Sequence, residues 1–375
     1  MNSKSKKRVV VSVINDLSTD QRVHKSCLSI QNAGFEVLLI GRVLKNSLPV
    51  NRSYPTHRMK LMFDKGFLFY LEFNLRLFIK LIFTKSDILH SNDLDTLLPN
   101  FLISKLKSKH LVYDTHEFYT GVPELAQRPF KRKIWERLEA FVFPNLKHVF
   151  TVNNSIAQKY KQLYGKELKV IRNISSRNLI PVKTKTKREL NLPEDKFLII
   201  LQGSGINIDR GGEELVEAMR NLNDCFLVIV GSGDVIGILK EKVNNLNLKN
   251  VLFVSRLPYE EMMQYTLNSN LGVTLDKPNN ENYWMSLPNK IFDYIHAGIP
   301  VLASTLPETS KIINQYNIGI LIPEVNSNEI EKAVKSILNK PNNCEIWTQN
   351  LKQASNELTW ENEVKPMVEL YESFR

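Results

Sequence analysis

The chain has 375 residues, 43% hydrophobic and 24% charged, which is too long for a single core and too apolar for a disordered protein. Its three cysteines, Cys27, Cys225 and Cys344, stand far apart, so they exclude a disulfide framework and a CxxC metal site and suit a reducing cytoplasm. The formal net charge is +11, but residues 1–190 hold 34 Lys and Arg against 15 Asp and Glu, giving +19, and the remaining 16 against 24 give −8 for residues 191–375. Such asymmetry points either to a polyanionic surface, nucleic acid or anionic lipid, met by one half, or to a generally solvated basic surface.

After a basic start, "VVVSVI" (9–14) is too short for the apolar region of a signal peptide and reads as a buried strand. In "NDLSTDQRVHK" (15–25), Asp16 or Asp20 caps a helix over 20–33, and Arg22, His24 and Lys25 populate its first turns. "EVLLIG" (36–41) is the next strand. The stretch 66–83 is nearly all apolar but carries Glu72, Asn74, Arg76 and Lys80. It reads as a buried core helix or as a helix that dips into a bilayer face with Arg76 and Lys80 snorkelling. Strands "DILHS" (87–91), "HLVYDT" (110–115) and "HVFTVN" (148–153) alternate with helices over 95–107, 129–143 and 154–164. This is the βαβ rhythm of a doubly wound parallel sheet, whose ligands gather at the carboxyl ends of strands. Asn92, Asp93, His116 and Glu117 occupy such ends. The Asp-x-Asp at 93–95 has the look of a metal motif, yet the helix pattern at Asp95 makes it a capping region, and no metal is expected. His116 either positions a bound group or is a satisfied structural histidine, and Glu117 either orients a ligand or places charge at a helix start. Arg128, Lys131, Arg132, Lys133 and Arg137 form a basic cluster.

Residues 173–196, polar and basic with two prolines, read as a linker ending in a short helix. The rhythm restarts with strands "FLIILQG" (197–203), "CFLVIVGSG" (225–233), "VLFVSR" (251–256), "LGVTLD" (271–276) and "PVLAS" (300–304). The fold class is therefore α/β, two Rossmann-like doubly wound domains facing a cleft. The division is a first domain over 1–180, a second over 181–360, and a C-terminal helix over 361–375. In "LQGSGINIDRGGEELVEAM" (201–219), Gly203 and Gly205 permit close backbone approach, and Gly211 and Gly212 open a helix whose N–H groups attract phosphate. Arg210 stands at that mouth, where its guanidinium suits a diphosphate. In "SLPNKIFDYIHAG" (286–298), Pro288 starts a helix at its first position, Lys290 and Asp293 share one face, and Gly298 ends it. Lys290 suits phosphates and Asp293 suits a ribose diol, or the two are an ordinary surface ion pair.

These motifs, with "HSNDLDTLLP" (90–99) and "YDTHEFYTGVPEL" (113–125), resemble a retaining GT-B glycosyltransferase of family 4, also called glycosyltransferase group 1, over essentially the whole chain. The resemblance implies that donor contacts come from Gly203, Ser204, Gly205, Asn207, Arg210, Gly211, Ser286, Pro288, Asn289, Lys290 and Asp293. His116, Arg210 and Lys290 would serve catalysis, and Asp16, Asp20, Arg22, Asn92, Asp93, Glu117 and Glu281 would meet the acceptor or sugar. Arg210 matches the family's usual lysine, Ser204 stands where its arginine belongs, and Lys290 takes over the missing charge. Asp293 matches the second acid of the family's E-x7-E element. Met285 occupies the place of the first, moving that sugar contact to Glu281 or to backbone amides. The implied reaction uses a UDP- or GDP-sugar, no cofactor or metal, and attack on the face from which the diphosphate departs. With the basic half and the apolar helix, the expected acceptor is a lipid-linked saccharide, glycolipid or polysaccharide at an anionic membrane, and the enzyme is cytoplasmic and peripheral. The alternatives are a GT-B nucleotide-sugar epimerase, a non-catalytic sugar-nucleotide sensor, and a nucleic-acid-binding protein. The last lacks any RRM, KH or helix-turn-helix signature, so no nucleic-acid partner is expected.

Overall fold

The computed structural model describes residues 6–18, 20–122, 125, 128–339 and 341–375, apart from the side chains of Asn178 and 341–344. The Cys344 thiol, the first residues of the basic start, and Pro123 and Glu124 of the quoted "VPEL" lie outside the described set. The chain forms two compact units, residues up to Asn173 together with Glu363–Arg375, and Ile174–Asn362. Of the C-terminal helices, Lys365–Glu372 belongs to the first unit and Pro341–Glu357 to the second.

In the first unit, strands β1 (Arg8–Asp16), β2 (Glu36–Val43), β3 (Thr56–Lys60), β4 (Ile88–Asn92), β5 (His110–Thr115), β6 (His148–Thr151) and β7 (Lys169–Val170) form one sheet in the order 3-2-1-4-5-6-7. Every pairing is parallel. Parallel strands are covered on both faces, which explains the unbroken apolar run Val9–Val11, fully buried in β1. Asp20 accepts from the Val23 amide at 3.0 Å and caps the helix Gln21–Asn32, so of the two candidate caps it is Asp20 that serves. Strand order reverses between β1 and β4. Right-handed crossovers therefore put the helices Phe67–Phe83, Leu94–Leu106 and Pro129–Val142 in one layer, with Leu94–Leu106 touching both others. The helix Phe67–Phe83 buries Phe69, Phe73, Leu77 and Leu81 in the sheet's core, so its core reading holds for one face only. No helix among the described residues is long and apolar enough to cross a membrane.

In the second unit, β8 (Phe197–Gly203), β9 (Cys225–Gly231), β10 (Val251–Val254), β11 (Leu271–Thr274), β12 (Val301–Ser304) and β13 (Gly319–Ile322) run in the order 10-9-8-11-12-13. They are again parallel throughout. The switch point lies between β8 and β11, where a doubly wound sheet opens a crevice beyond its strand ends. The segment read as a linker contains the short 3-10 turns Arg177–Leu179 and Arg188–Leu190.

Candidate functional site

Two polar clusters stand at the two switch points. In the second unit the loop after β8 is fixed by neighbours on which little can change. The Ile206 amide donates to Ser232 O at 3.0 Å, and a Cβ on Gly233 would meet Ile206 O at 1.9 Å. Gly211 has φ +73, and a Cβ there would lie 2.4 Å from Leu275 Cβ, so only glycine lets the loop turn against β11. The helix that Gly212 opens is short, Gly212–Ala218. Ser204 is exposed, and Gly203, Gly205 and Asn207 are half-buried, with Asn207 O accepting from the Arg210 amide at 3.3 Å.

Arg210 lies 4.6 Å over the Tyr283 ring, and its Nη1 donates to Asp276 Oδ2 at 3.1 Å. Asp276, just beyond β11, is 1% exposed. Ser286 Oγ donates to the same oxygen at 3.4 Å, and Asp276 Oδ1 is buried with no hydrogen-bond partner. Lys290 is half-buried, and its Cε lies 3.9 Å from the place a Cβ on Gly203 would take. Its ammonium makes no salt bridge or hydrogen bond among the described residues. Burial lowers its pKa, the Asp276 carboxylate opposes that shift, and Arg210 adds to it. Two cations thus share one acid, leaving an excess of one positive charge beside the β8 loop. Neither Asp276 nor Tyr283 was foreseen. An acid at the carboxyl end of "VTLD" was the available signal.

The helix of the second motif begins at Lys290, two residues after Pro288, because the chain turns first through the exposed Asn289. Pro288 therefore precedes the helix instead of occupying its first position, although Gly298 ends it with φ +72 as expected. Asp293 and Lys290 do not pair. The Asp293 carboxylate is 8% exposed and accepts from Tyr259 OH at 2.9 Å, Ser175 Oγ at 3.3 Å and Gln202 Nε2 at 3.0 Å. Met285 is buried at 2% exposure, and Glu281, itself exposed, opens the helical turn Glu281–Trp284.

The first unit's cluster is an alternating chain of charges. Arg22 donates to both oxygens of Asp114 at 2.8 and 3.0 Å and to Ile171 O at 2.9 Å. His116 Nδ1 lies 3.1 Å from Asp93 Oδ2, and its Nε2 lies 3.4 Å from Asp114 Oδ2. Burial opposes charge on both Asp114 and His116. The attraction of Arg22 and His116 nevertheless holds the Asp114 carboxyl far below its usual range, and Asp93 and Asp114 push His116 up to about 10. His116 is thus an imidazolium at neutral pH and cannot accept a proton. Its Nε2 is buried, so a sugar contact through that nitrogen requires the ring to move.

Asp93 occupies the cap position of the helix Leu94–Leu106 with φ +58, but it does not cap it. Its Oδ1 accepts from the His116 amide at 2.8 Å instead, so a strained backbone is exchanged for a grip on the histidine. Asp95 is 6% exposed, and burial, with Asp93 and Glu117 nearby, raises its pKa well above the usual value. The two acids of the Asp-x-Asp therefore differ in surroundings, and no group of three or more metal-ligating side chains occurs among the described residues.

Three residues expected to meet an acceptor are tied into the framework. Arg22 is 4% exposed and held as above, Asn92 is fully buried with Nδ2 donating to Ser12 O at 3.0 Å, and Asp16 is 8% exposed, accepting from Ser47 and from Arg58 Nη2 at 3.0 Å. All three are buried, with Arg22 Nε and Asn92 Oδ1 left without a hydrogen-bond partner. Asp20 caps its helix and accepts from Asn15 Nδ2 at 2.9 Å, and Glu117 remains half-buried beside His116.

No curated protein sequence matches the chain. Among solved structures, sucrose-phosphate synthase from Thermosynechococcus elongatus superposes with a TM-score of 0.82 at 18% identity, over 98% of this chain and 99% of that one. Anabaena HepE in complex with UDP and glucose gives 0.75 at 14% identity over 97% and 99%. A putative UDP-N-acetylglucosamine 2-epimerase from Listeria monocytogenes gives 0.67 at 14% identity over 98% and 96%. At such identities the likeness establishes the GT-B fold and nothing finer. Residues 22–174 match the family model described as Glycosyltransferase Family 4, and residues 182–354 match the one described as Glycosyl transferases group 1. With one model in each half and the GT-B fold throughout, the chain belongs to the group 1 glycosyltransferases.

Proposed function

We propose that the protein transfers a hexose or related sugar from UDP or GDP to a lipid-linked saccharide, glycolipid or polysaccharide, with retention of configuration and without a metal. The observation that carries this reading is the unpaired Lys290 ammonium beside the β8 loop, next to an Arg210 guanidinium held by one shared carboxylate. As the glycosidic bond to the diphosphate breaks, negative charge grows on the departing oxygen, and a cation already in place stabilises it without reorganisation. The acceptor hydroxyl then forms the new bond from the same face, and its proton passes to that phosphate oxygen.

Asp293 would hold the ribose. Donors from Ser175, Gln202 and Tyr259 fix the orientation of its carboxylate, and a carboxylate accepts from the hydroxyls of a diol. Asp293→Asn should therefore weaken UDP or GDP binding several-fold and leave inorganic diphosphate unchanged. Equal losses would remove the ribose role.

The test of the whole reading is a thermal-shift panel of sugar nucleotides followed by product analysis, since a bound donor raises the melting temperature with its concentration. Stabilisation by one nucleotide family and appearance of a glycosylated acceptor support transfer. A changed sugar nucleotide formed with no acceptor supports the epimerase, and binding with neither product supports the sensor.

A further inference from the structure

The outer face of the helix layer in the first unit carries a surface that the transfer reading does not use. On the helix Phe67–Phe83, Leu68, Leu71, Leu75 and Ile79 are all exposed, Leu75 at 57%, directly opposite the buried Phe73 and Leu77. Their spacing of three, four and four residues makes one stripe. The acid that would interrupt it is satisfied internally: Glu72 accepts from the Met62 and Phe63 amides at 2.9 and 3.0 Å and pairs with Arg76 at 2.8 Å. The helix Pro129–Val142 repeats the pattern with Phe130, 78% exposed, Ile134 and Phe141. Between these two helices, Leu94–Leu106 adds exposed Leu102 and Leu106.

Cations border the stripes. Lys105, Lys131, Lys133 and Arg137 are exposed, Lys80 is half-buried, and none makes a salt bridge among the described residues. The acids of the same face, Glu72 and Glu136, are both held in ion pairs.

We propose that this three-helix face is a docking surface for an anionic lipid bilayer, with the helix Phe67–Phe83 lying in the plane of the interface. Its apolar stripe would enter the boundary between headgroups and acyl chains while the cations sit among the lipid phosphates. The alternatives suit the surface less well. A second copy docked face to face would set like cations against one another, and a nucleic acid would leave the leucine stripe in water.

The experiment is flotation of the full chain with vesicles of phosphatidylcholine alone and with about 30% phosphatidylglycerol, alongside the thermal shift given by UDP or GDP. Binding should be at least about tenfold stronger with the anionic lipid and should weaken with salt. Leu71→Glu with Leu75→Glu should reduce it at least about tenfold, because both substitute exposed positions that would enter the apolar zone. Lys131→Glu with Lys133→Glu should abolish the preference for anionic lipid. The nucleotide-induced shift should be the same in all variants, so donor binding and docking succeed or fail separately. Failure of the wild-type chain to float, or flotation of the double leucine variant like wild type, would overturn the assignment. So would a dimer in solution that Leu75→Glu dissociates.

Discussion

The two switch-point clusters use the same side chains to opposite ends. In the first unit each cation faces an acid: Arg22 meets Asp114, and His116 lies between Asp93 and Asp114. In the second unit Arg210 and Lys290 have only Asp276 between them. Complete pairing in a buried setting makes framework, whereas incomplete pairing leaves an electrostatic demand that a ligand can meet. The position of a charged residue at a strand's carboxyl end does not separate the two cases. The balance of its neighbours does.

The largest effect that could break this comparison lies in the first unit. Arg22→Met strands the fully buried Asp114 carboxylate and should destabilise the chain by about 3–5 kcal/mol, read from denaturant unfolding. A loss under 1 kcal/mol would show that the cluster is not framework. Next, Lys290→Ala should weaken UDP or GDP binding by roughly 10- to 100-fold, the range of a hydrogen bond to a charged group. Arg210→Ala should cost less, because its guanidinium is already held by the Asp276 carboxylate whereas the Lys290 ammonium is unpaired. Calorimetric titration that ranks them in reverse would assign the phosphate to Arg210.

A pH series sharpens the comparison further. His116 is raised from its ordinary value near 6.5 to about 10, so its contribution to stability is fully present below pH 6.5 and is lost as pH rises through 10. The melting temperature should fall over that window more steeply in wild type than in His116→Gln, and an NMR titration of Asp93→Asn should find the imidazole pKa lowered. Parallel pH curves would show that the charge chain contributes nothing. Smallest of all, Asp20→Ala should cost about 1 kcal/mol through its helix cap with nucleotide binding untouched.

Much of the architecture was legible because buried parallel strands announce themselves as unbroken apolar runs such as "FLIILQG". Three strands were not. β3, "THRMK", borders only β2 and has a single buried residue, so it lacks the apolar run. β7, at that sheet's other edge, is two residues long, and β13 begins on a glycine at an edge of the second sheet. The candidate site was legible as residue types at strand ends, and Arg210, Lys290 and His116 lie there. What could not be read was partnership. Arg22 meets Asp114 across 92 positions and Arg210 meets Asp276 across 66, distances over which no local periodicity carries information. The same limit hid the burial of Arg22 and Asn92, both expected to meet an acceptor.

The first unit is discontinuous, and its closing segment comes last. Tyr371 OH lies 2.7 Å from His90 Nδ1, its ring meets Phe35 edge-on at 5.6 Å, and Phe374 O accepts from Lys7. On a ribosome adding roughly 5–20 residues per second, the stretch between Asn173 and Glu363 delays that closure by about 10–40 s. The second unit, uninterrupted from Ile174 to Asn362, emerges whole before the first can seal over His90. For that interval the nascent β1–β4 core waits uncapped, its apolar surface around His90 open to water.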